Sequence, residues 1–143
     1  MQVANLLATK GRDVATVSKE STVADALTIL KERRVGALVV TGDTEPLVGI
    51  FSERDVVRDL AEHGVETLSR HVEDLMSSTV TVCDEATSVT DVMKLMTEHR
   101  IRHVPVVHDG KLAGIVSIGD VVKARLDELE ADKRELIEYV QAR

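Results

Sequence analysis

Aromatic residues are almost missing from this chain: it has no Trp, one Tyr and one Phe in 143 residues. Stacking platforms for the bases of single-stranded nucleic acid are therefore lacking, and any core must be built from Val, Leu, Ile, Ala and Met. Positive charge is also in deficit, with 18 Lys and Arg against 25 Asp and Glu and a formal net charge of -7. Such a surface repels a phosphate polymer, so no nucleic-acid partner is expected. Cys83 is the single cysteine, which rules out an intramolecular disulfide and the four-thiolate or two-Cys/two-His zinc sites. A reducing cytoplasm fits best. No stretch approaches the roughly 18 apolar residues of a membrane span, and the N-terminus lacks the continuous apolar core of a secretory signal. No membrane partner is expected.

What the sequence does contain is an internal duplication. Val23, Asp25, Glu32, Arg34 and Val40 recur 66 positions later as Val89, Asp91, Glu98, Arg100 and Val106. Leu47, Gly49, Ile50, Ser52, Asp55, Val56 and Val57 recur 65 positions later as Leu112, Gly114, Ile115, Ser117, Asp120, Val121 and Val122. The change of offset places a one-residue length difference in the loop between the blocks, where it is tolerated.

Each copy has the same local pattern. Val23, Ala26, Leu27 and Leu30, like Val89, Val92, Met93 and Met96, fall at i, i+3, i+4, i+7 and mark one apolar helix face. Thr22 with Asp25, and Ser88 with Asp91, form capping-box pairs expected to satisfy backbone donors through both hydroxyl and carboxylate. β-Branched runs follow at Val35 to Val40 and Ile101 to Val107, then turns at Gly42 to Pro46 and Asp109-Gly110. Second strands are expected at Leu47 to Phe51 and Leu112 to Val116, with helices opening at Ser52 and Ser117. Short strands at Ala15 to Val17 and Val80 to Val82 complete a β-α-β-β-α unit, twice.

The fold class expected is α/β (α+β): tandem repeats about a pseudo-twofold axis, with small mixed sheets flanked by helices and an equivalent cleft on each side. The organisation read along the chain is an N-terminal helical segment at 1–13, repeat one at 14–61, a linker at 62–78, repeat two at 79–125 and a C-terminal helix at 126–143. Together these make one module.

Leu47-Val-Gly-Ile-Phe-Ser-Glu-Arg-Asp55 and Leu112-Ala-Gly-Ile-Val-Ser-Ile-Gly-Asp120 resemble the signature of the CBS domain, the small module named after cystathionine β-synthase. Arg102-His-Val-Pro-Val106 is similar to the second-repeat strand of that family. The resemblance covers roughly residues 14 to 125. It implies a stand-alone pair of repeats that senses adenosine-containing ligands such as AMP, ADP, ATP, NAD or S-adenosylmethionine in the inter-repeat cleft, dimerises, and signals to an effector protein. The ligand is bound rather than used as a cofactor, and no catalytic residue is implied.

On this resemblance, Ser52, Asp55, Ser117 and Asp120 are expected to bind the ribose, since an ionised Asp accepts hydrogen bonds from a 2′,3′-diol. The alternative is that Ser-x-x-Asp at a helix start is simply another capping box, and the two roles are compatible. Phosphate is expected to meet Arg102 and His103, which replace Gly36 and Ala37 of repeat one, with Arg54 or Arg34 supplementing the other cleft. The alternative has Arg102 snorkelling from an edge strand, His103 as a satisfied, semi-buried histidine, and Arg54 with Arg58 forming a solvated face. Adenine contacts are implied for Thr16, Val17, Thr81, Val82, Val104 and Pro105.

Other constellations carry less. His99, His103 and His108 straddle a helix-to-strand break without a nearby thiolate, so no metal site is expected. No Gly-x-Ser-x-Gly elbow, Cys/His pairing or phosphate-binding glycine loop is present, and no turnover is expected. From Val121 onward a long helix is indicated, with Val122, Leu126, Leu129, Leu136 and Val140 in alternating steps of four and three and only Lys133 breaking the series. That stripe faces either a homodimer partner or the helix's own domain. The competing function is a ligand-free homodimeric scaffold or adaptor; a small nucleotide hydrolase or transferase comes third.

Overall fold

The computed structural model describes residues 1–142, which divide into two compact units. Asp13–Val82 with Asp109–Leu112 make one; Met1–Arg12, Cys83–His108 and the chain from Ala113 onward make the other. In chain order the elements are α1 (Val3–Lys10), β1 (Thr16–Ser18), α2 (Val23–Arg33), β2 (Ala37–Thr41), β3 (Gly49–Ser52) and α3 (Glu53–His63). A 3-10 helix (Gly64–Ser69), α4 (Val72–Leu75), α5 (Val89–His99), β4 (His103–His108), β5 (Lys111–Ser117) and α6 (Ile118–Gln141) follow. The mixture of helices and small sheets is the class expected.

In the first unit β2 is central, parallel to β1 through Thr16 opposite Val39 and antiparallel to β3 through Ala37 opposite Ser52. Ala37 to Val40 are all buried, as a strand covered on both faces requires. Around them lie Val17, Val23, Ala26, Leu30, Phe51, Val56 and Val72. β4 and β5 form a hairpin whose Asp109 and Gly110 both take positive φ, the mirror-image turn that matches strand twist. The core of the second unit gathers Val89, Val92, Met96, Val104, Val106, Val116 and Val121.

The repeated helices start and stop alike. Thr22 Oγ1 accepts the Asp25 N–H at 3.2 Å and Ser88 Oγ accepts the Asp91 N–H at 3.0 Å. Only this hydroxyl arm forms; the return bond expected from each carboxylate is not made. Both helices end on an arginine in the left-handed region, Arg34 at φ 54 and Arg100 at φ 53.

Val80 to Val82 do not form the strand expected. A single parallel bridge joins Cys83 to Val106, with Cys83 N–H donating to Pro105 O at 3.0 Å and Val107 N–H to Cys83 O at 2.8 Å. Val17 pairs with Val40 in the first unit, so Cys83 is the counterpart of Val17 and the displacement is 66, as in the neighbouring block. Matching Ala15-Thr-Val17 to Val80-Thr-Val82 on side-chain likeness slips the register by one, and such a slip reverses which residues face the core. Val17 and Cys83 are buried, whereas Thr16 and Val82 are exposed.

Each unit is completed by the segment that precedes the other repeat in sequence. In the second unit Val3 N–H donates to Thr87 O, Ala4 N–H to Glu85 O and Val89 N–H to Met1 O, and Val3, Leu6 and Leu7 enter the core. In the first, Val72 N–H donates to Ser21 O, Glu73 N–H to Lys19 O and Val23 N–H to Arg70 O, with Val72 in the core. Thus α1 completes the repeat farther from it in sequence, and the α4 segment does the same work for the repeat before it. This close approach accounts for the glycines of the duplicated strands. A Cβ on Gly114 would lie 2.8 Å from Leu7 Cδ2, and one on Gly49 would lie 2.5 Å from Met76 Sδ and 2.9 Å from the Ser77 carbonyl oxygen.

Candidate functional site

Each unit presents the same strand-to-helix corner. In the first, β3 runs into α3 at Ser52, and the Glu53 N–H is fixed by the Gly36 carbonyl at 3.1 Å. Ser52 N–H donates to Asp55 Oδ2 at 2.8 Å and Ser52 Oγ to the same oxygen at 3.2 Å. In the second, β5 runs into α6 at Ser117, and the Ile118 N–H is held by the Arg102 carbonyl at 2.8 Å. Ser117 N–H donates to Asp120 Oδ2 at 2.9 Å, and the Asp120 N–H returns to Ser117 Oγ at 3.2 Å. The capping role is therefore present at both corners. It uses Oδ2 alone, and among the described residues neither Oδ1 accepts a hydrogen bond. Both carboxylates are half-buried.

The corners differ in charge. Lys10, at the end of α1, sets its Nζ 2.5 Å from Asp120 Oδ2 and 2.6 Å from the Ile115 carbonyl oxygen. In the first unit the corresponding carbonyl, Ile50 O, is taken by the Ser77 N–H at 2.9 Å, and among the described residues no cation is delivered to it. Burial pushes the Asp55 carboxyl above its ordinary value, with Ser52 and the charges of Arg58 and Arg54 opposing less strongly. Burial also acts to raise Asp120, but hydrogen bonds from Lys10 and Ser117 outweigh it and the carboxyl sits below the usual range. Lys10 carries no sequence signal for this role, because its partner lies 110 positions away.

His103 opens β4 half-buried, and burial followed by the charge of Lys10 lowers its pKa against the pull of Asp120. At neutral pH it is an uncharged donor and acceptor, so the fixed positive charge near this corner comes from Lys10 and from Arg102, which is exposed. Arg54, Arg58 and Arg34 are exposed in the first unit. Of the residues expected to meet adenine, Thr16 and Val82 are exposed and Thr81 is half-buried. Val17 and Pro105 are buried, and Val104 is wholly enclosed in the core at 0 % exposure, leaving it only backbone groups to offer. Cys83 is buried, and burial first, then Asp84, pushes its thiol up to about 11, so it stays protonated at neutral pH.

The CBS-domain model matches the sequence twice, at residues 6–62 and 72–127. The chain belongs to the CBS-domain family. It is 41% identical over 127 residues to the mitochondrial CBS domain-containing protein CBSX3 of Arabidopsis thaliana, a match covering 85% of this chain and 61% of that protein. A crystal structure of a CBS-domain protein from Agrobacterium tumefaciens has a TM-score of 0.84 and 44% identity, covering 87% of this chain and 92% of the other. The CBS domain pair of protein MJ0100 was solved in complex with 5′-methylthioadenosine and S-adenosyl-L-methionine. Its TM-score is 0.77 at 25% identity, covering 87% of this chain and 98% of that one. No described helix is long and apolar enough to cross a membrane.

Proposed function

We propose that this CBS pair is a regulatory module that binds an adenine nucleotide, AMP, ADP, ATP or NAD, and passes its occupancy to a separate effector protein in the cytoplasm without chemistry of its own. The observation that carries this reading is the duplicated Ser-x-x-Asp corner, where the cap consumes Oδ2 and leaves Oδ1 of Asp55 and Asp120 to accept from a ribose hydroxyl. Ser52 and Ser117 hold those carboxylates in place. Lys10 and Arg102 add positive charge for a phosphate, His103 a neutral donor, and Arg54 its counterpart in the first unit. Thr16, Thr81 and Val82 offer accessible surface for the base, while Val17, Val104 and Pro105 are buried in their own units. The adenosine derivatives bound by MJ0100 support the ligand class.

The test is thermal melting with AMP, ADP, ATP, NAD and S-adenosylmethionine. Ligand at roughly 100 times its Kd stabilises a binding-competent fold by about 2.7 kcal/mol, a shift that Asp120→Ala removes. No shift with any nucleotide ends the proposal.

The second reading, a homodimeric scaffold, is favoured by exposed apolar side chains at repeat-equivalent positions, Val57 at 66 % and Val122 at 44 %. Homodimer formation is compatible with both readings. Under the scaffold reading alone, Asp120→Ala leaves dimer and partner unchanged.

A further inference from the structure

Helix α6 has two apolar faces and only one of them is used. Val121 and Ala124 are buried in the second unit, and Glu128 on the same side meets the Met1 amino group at 3.2 Å. On the other side Val122, Leu126, Leu129, Lys133, Leu136 and Val140 follow one another in steps of four and three, the spacing of a coiled-coil seam. Leu126, Leu129, Leu136 and Val140 are 56, 48, 64 and 61 % exposed. A continuous run of such layers along one helix is unlike the scattered apolar residues of an ordinary surface.

We infer that α6 pairs antiparallel with α6 of a second copy, with Val122 against Val140, Leu126 against Leu136 and Leu129 against Lys133. The inference rests on the homodimer reading and is independent of the nucleotide. Charge and register select this arrangement. A parallel, in-register pair would stack Lys133 directly on Lys133 of the second copy, a like-charge layer in the middle of the seam. The antiparallel pair sets each Lys133 against a leucine and brings its ammonium beside Asp132 of the second copy, so two lysines and two aspartates alternate about the axis. Shifting the register by one heptad either way leaves two apolar layers at one end of each helix without partners, whereas this register engages all six. Glu130 and Asp132 each meet their own counterparts across the axis; Arg134, one turn on from Glu130, and Lys133, beside Asp132 of the second copy, offset those repulsions.

The experiment joins light scattering with crosslinking of single-cysteine variants by a short bismaleimide. Native Cys83 does not compete, since it is buried and its thiol stays protonated. Glu130→Cys is expected to crosslink, because residue 130 lies beside its counterpart. Leu126→Cys is expected not to, because about ten residues of helix, or roughly 15 Å, separate residue 126 from its counterpart. Lys133→Glu collects acid at the axis and is expected to weaken the dimer roughly tenfold, and adding Asp132→Lys restores it by exchanging the charges. Both substitutions sit on solvent-exposed helix, so the fold is kept. Crosslinking through Leu126→Cys overturns the orientation. A dimer that crosslinks at neither position overturns the α6 interface alone. A monomer overturns the homodimer reading with it, while nucleotide-induced melting shifts report on the ligand separately.

Discussion

The Lys10 ammonium and the Asp120 carboxylate, 110 residues apart in sequence, form an ion pair at 2.5 Å, while Asp55 at the equivalent corner has no lysine beside it. The same Asp, in the same local cap, is stabilised as an anion in one repeat and penalised as one in the other.

Asp120→Asn and Asp55→Asn therefore have opposite effects on stability at pH 7. The Asp120 carboxyl titrates below its ordinary 3.8 when folded. Its contribution is present in full above that value and is lost as pH falls through the folded one. Side chains about one-quarter and one-third exposed limit the pair to roughly 0.5–1 kcal/mol, so Asp120→Asn lowers the melting temperature by a few degrees. Asp55 titrates above 3.8. Its charged form is disfavoured by folding, a penalty present at neutral pH and relieved as pH falls through the folded value. Asp55→Asn keeps an acceptor for Ser52 and raises the melting temperature. Melts of both variants at pH 7 and near pH 3.5 check the signs, and the differences from wild type shrink at the lower pH.

Lys10 has a second consequence, for ligand choice. A ribose hydroxyl on Asp120 Oδ1 leaves the ammonium on Oδ2 beside the ligand, where it is best satisfied by a phosphate and worst served by a sulfonium. Lys10→Met is expected to reduce the preference for AMP over S-adenosylmethionine about tenfold, the worth of one charge-assisted hydrogen bond. Calorimetric titration of both ligands into both proteins gives the ratio. An unchanged ratio reduces Lys10 to an anchor for α1.

Gly114→Ala and Gly49→Ala separate rigid from yielding neighbours. At Gly114 the new methyl meets the end of the Leu7 side chain, and at Gly49 it meets the Met76 sulfur and also backbone, the Ser77 carbonyl oxygen. Overpacking costs about 1–3 kcal/mol, with Gly49→Ala at the upper end because the Ser77 backbone is tied to Ile50 by two hydrogen bonds. Urea denaturation of the two variants orders them.

The duplication, the helix faces headed by Val23 and Val89, the hairpin at Asp109-Gly110 and the corners at Ser52 and Ser117 were all legible, because each depends on neighbours a few positions apart. The slipped strand was legible in principle, since Val40 and Val106 already carried the displacement of 66 that sets Cys83 opposite Val106. The completion of each unit by α1 or the α4 segment was not. Val3 and Val72 look like any apolar residue of a short helix, and nothing local says which repeat they enter. The same holds for Lys10, an ordinary basic residue in the last turn of α1 until the fold brings Asp120 to it.

The paired helix ends give the last prediction. Arg34 and Arg100 hold left-handed backbone at φ 54 and 53, where a Cβ crowds the following carbonyl at a cost of roughly 1–2 kcal/mol. Their amide N–H groups still cap the helices, on Leu30 O and Met96 O, and glycine preserves those bonds while removing the crowding. Against this stands the greater freedom of glycine in the unfolded chain, about 0.5–1 kcal/mol. Arg34→Gly and Arg100→Gly are therefore each expected to be neutral to about 1 kcal/mol stabilising by thermal or urea unfolding. Arg34→Val and Arg100→Val, β-branched at the same φ, are expected to destabilise. Equal and opposite behaviour of glycine and valine at both positions would show the helix ends to be one device used twice, and a glycine variant that loses stability would show that the arginine side chain itself holds the turn.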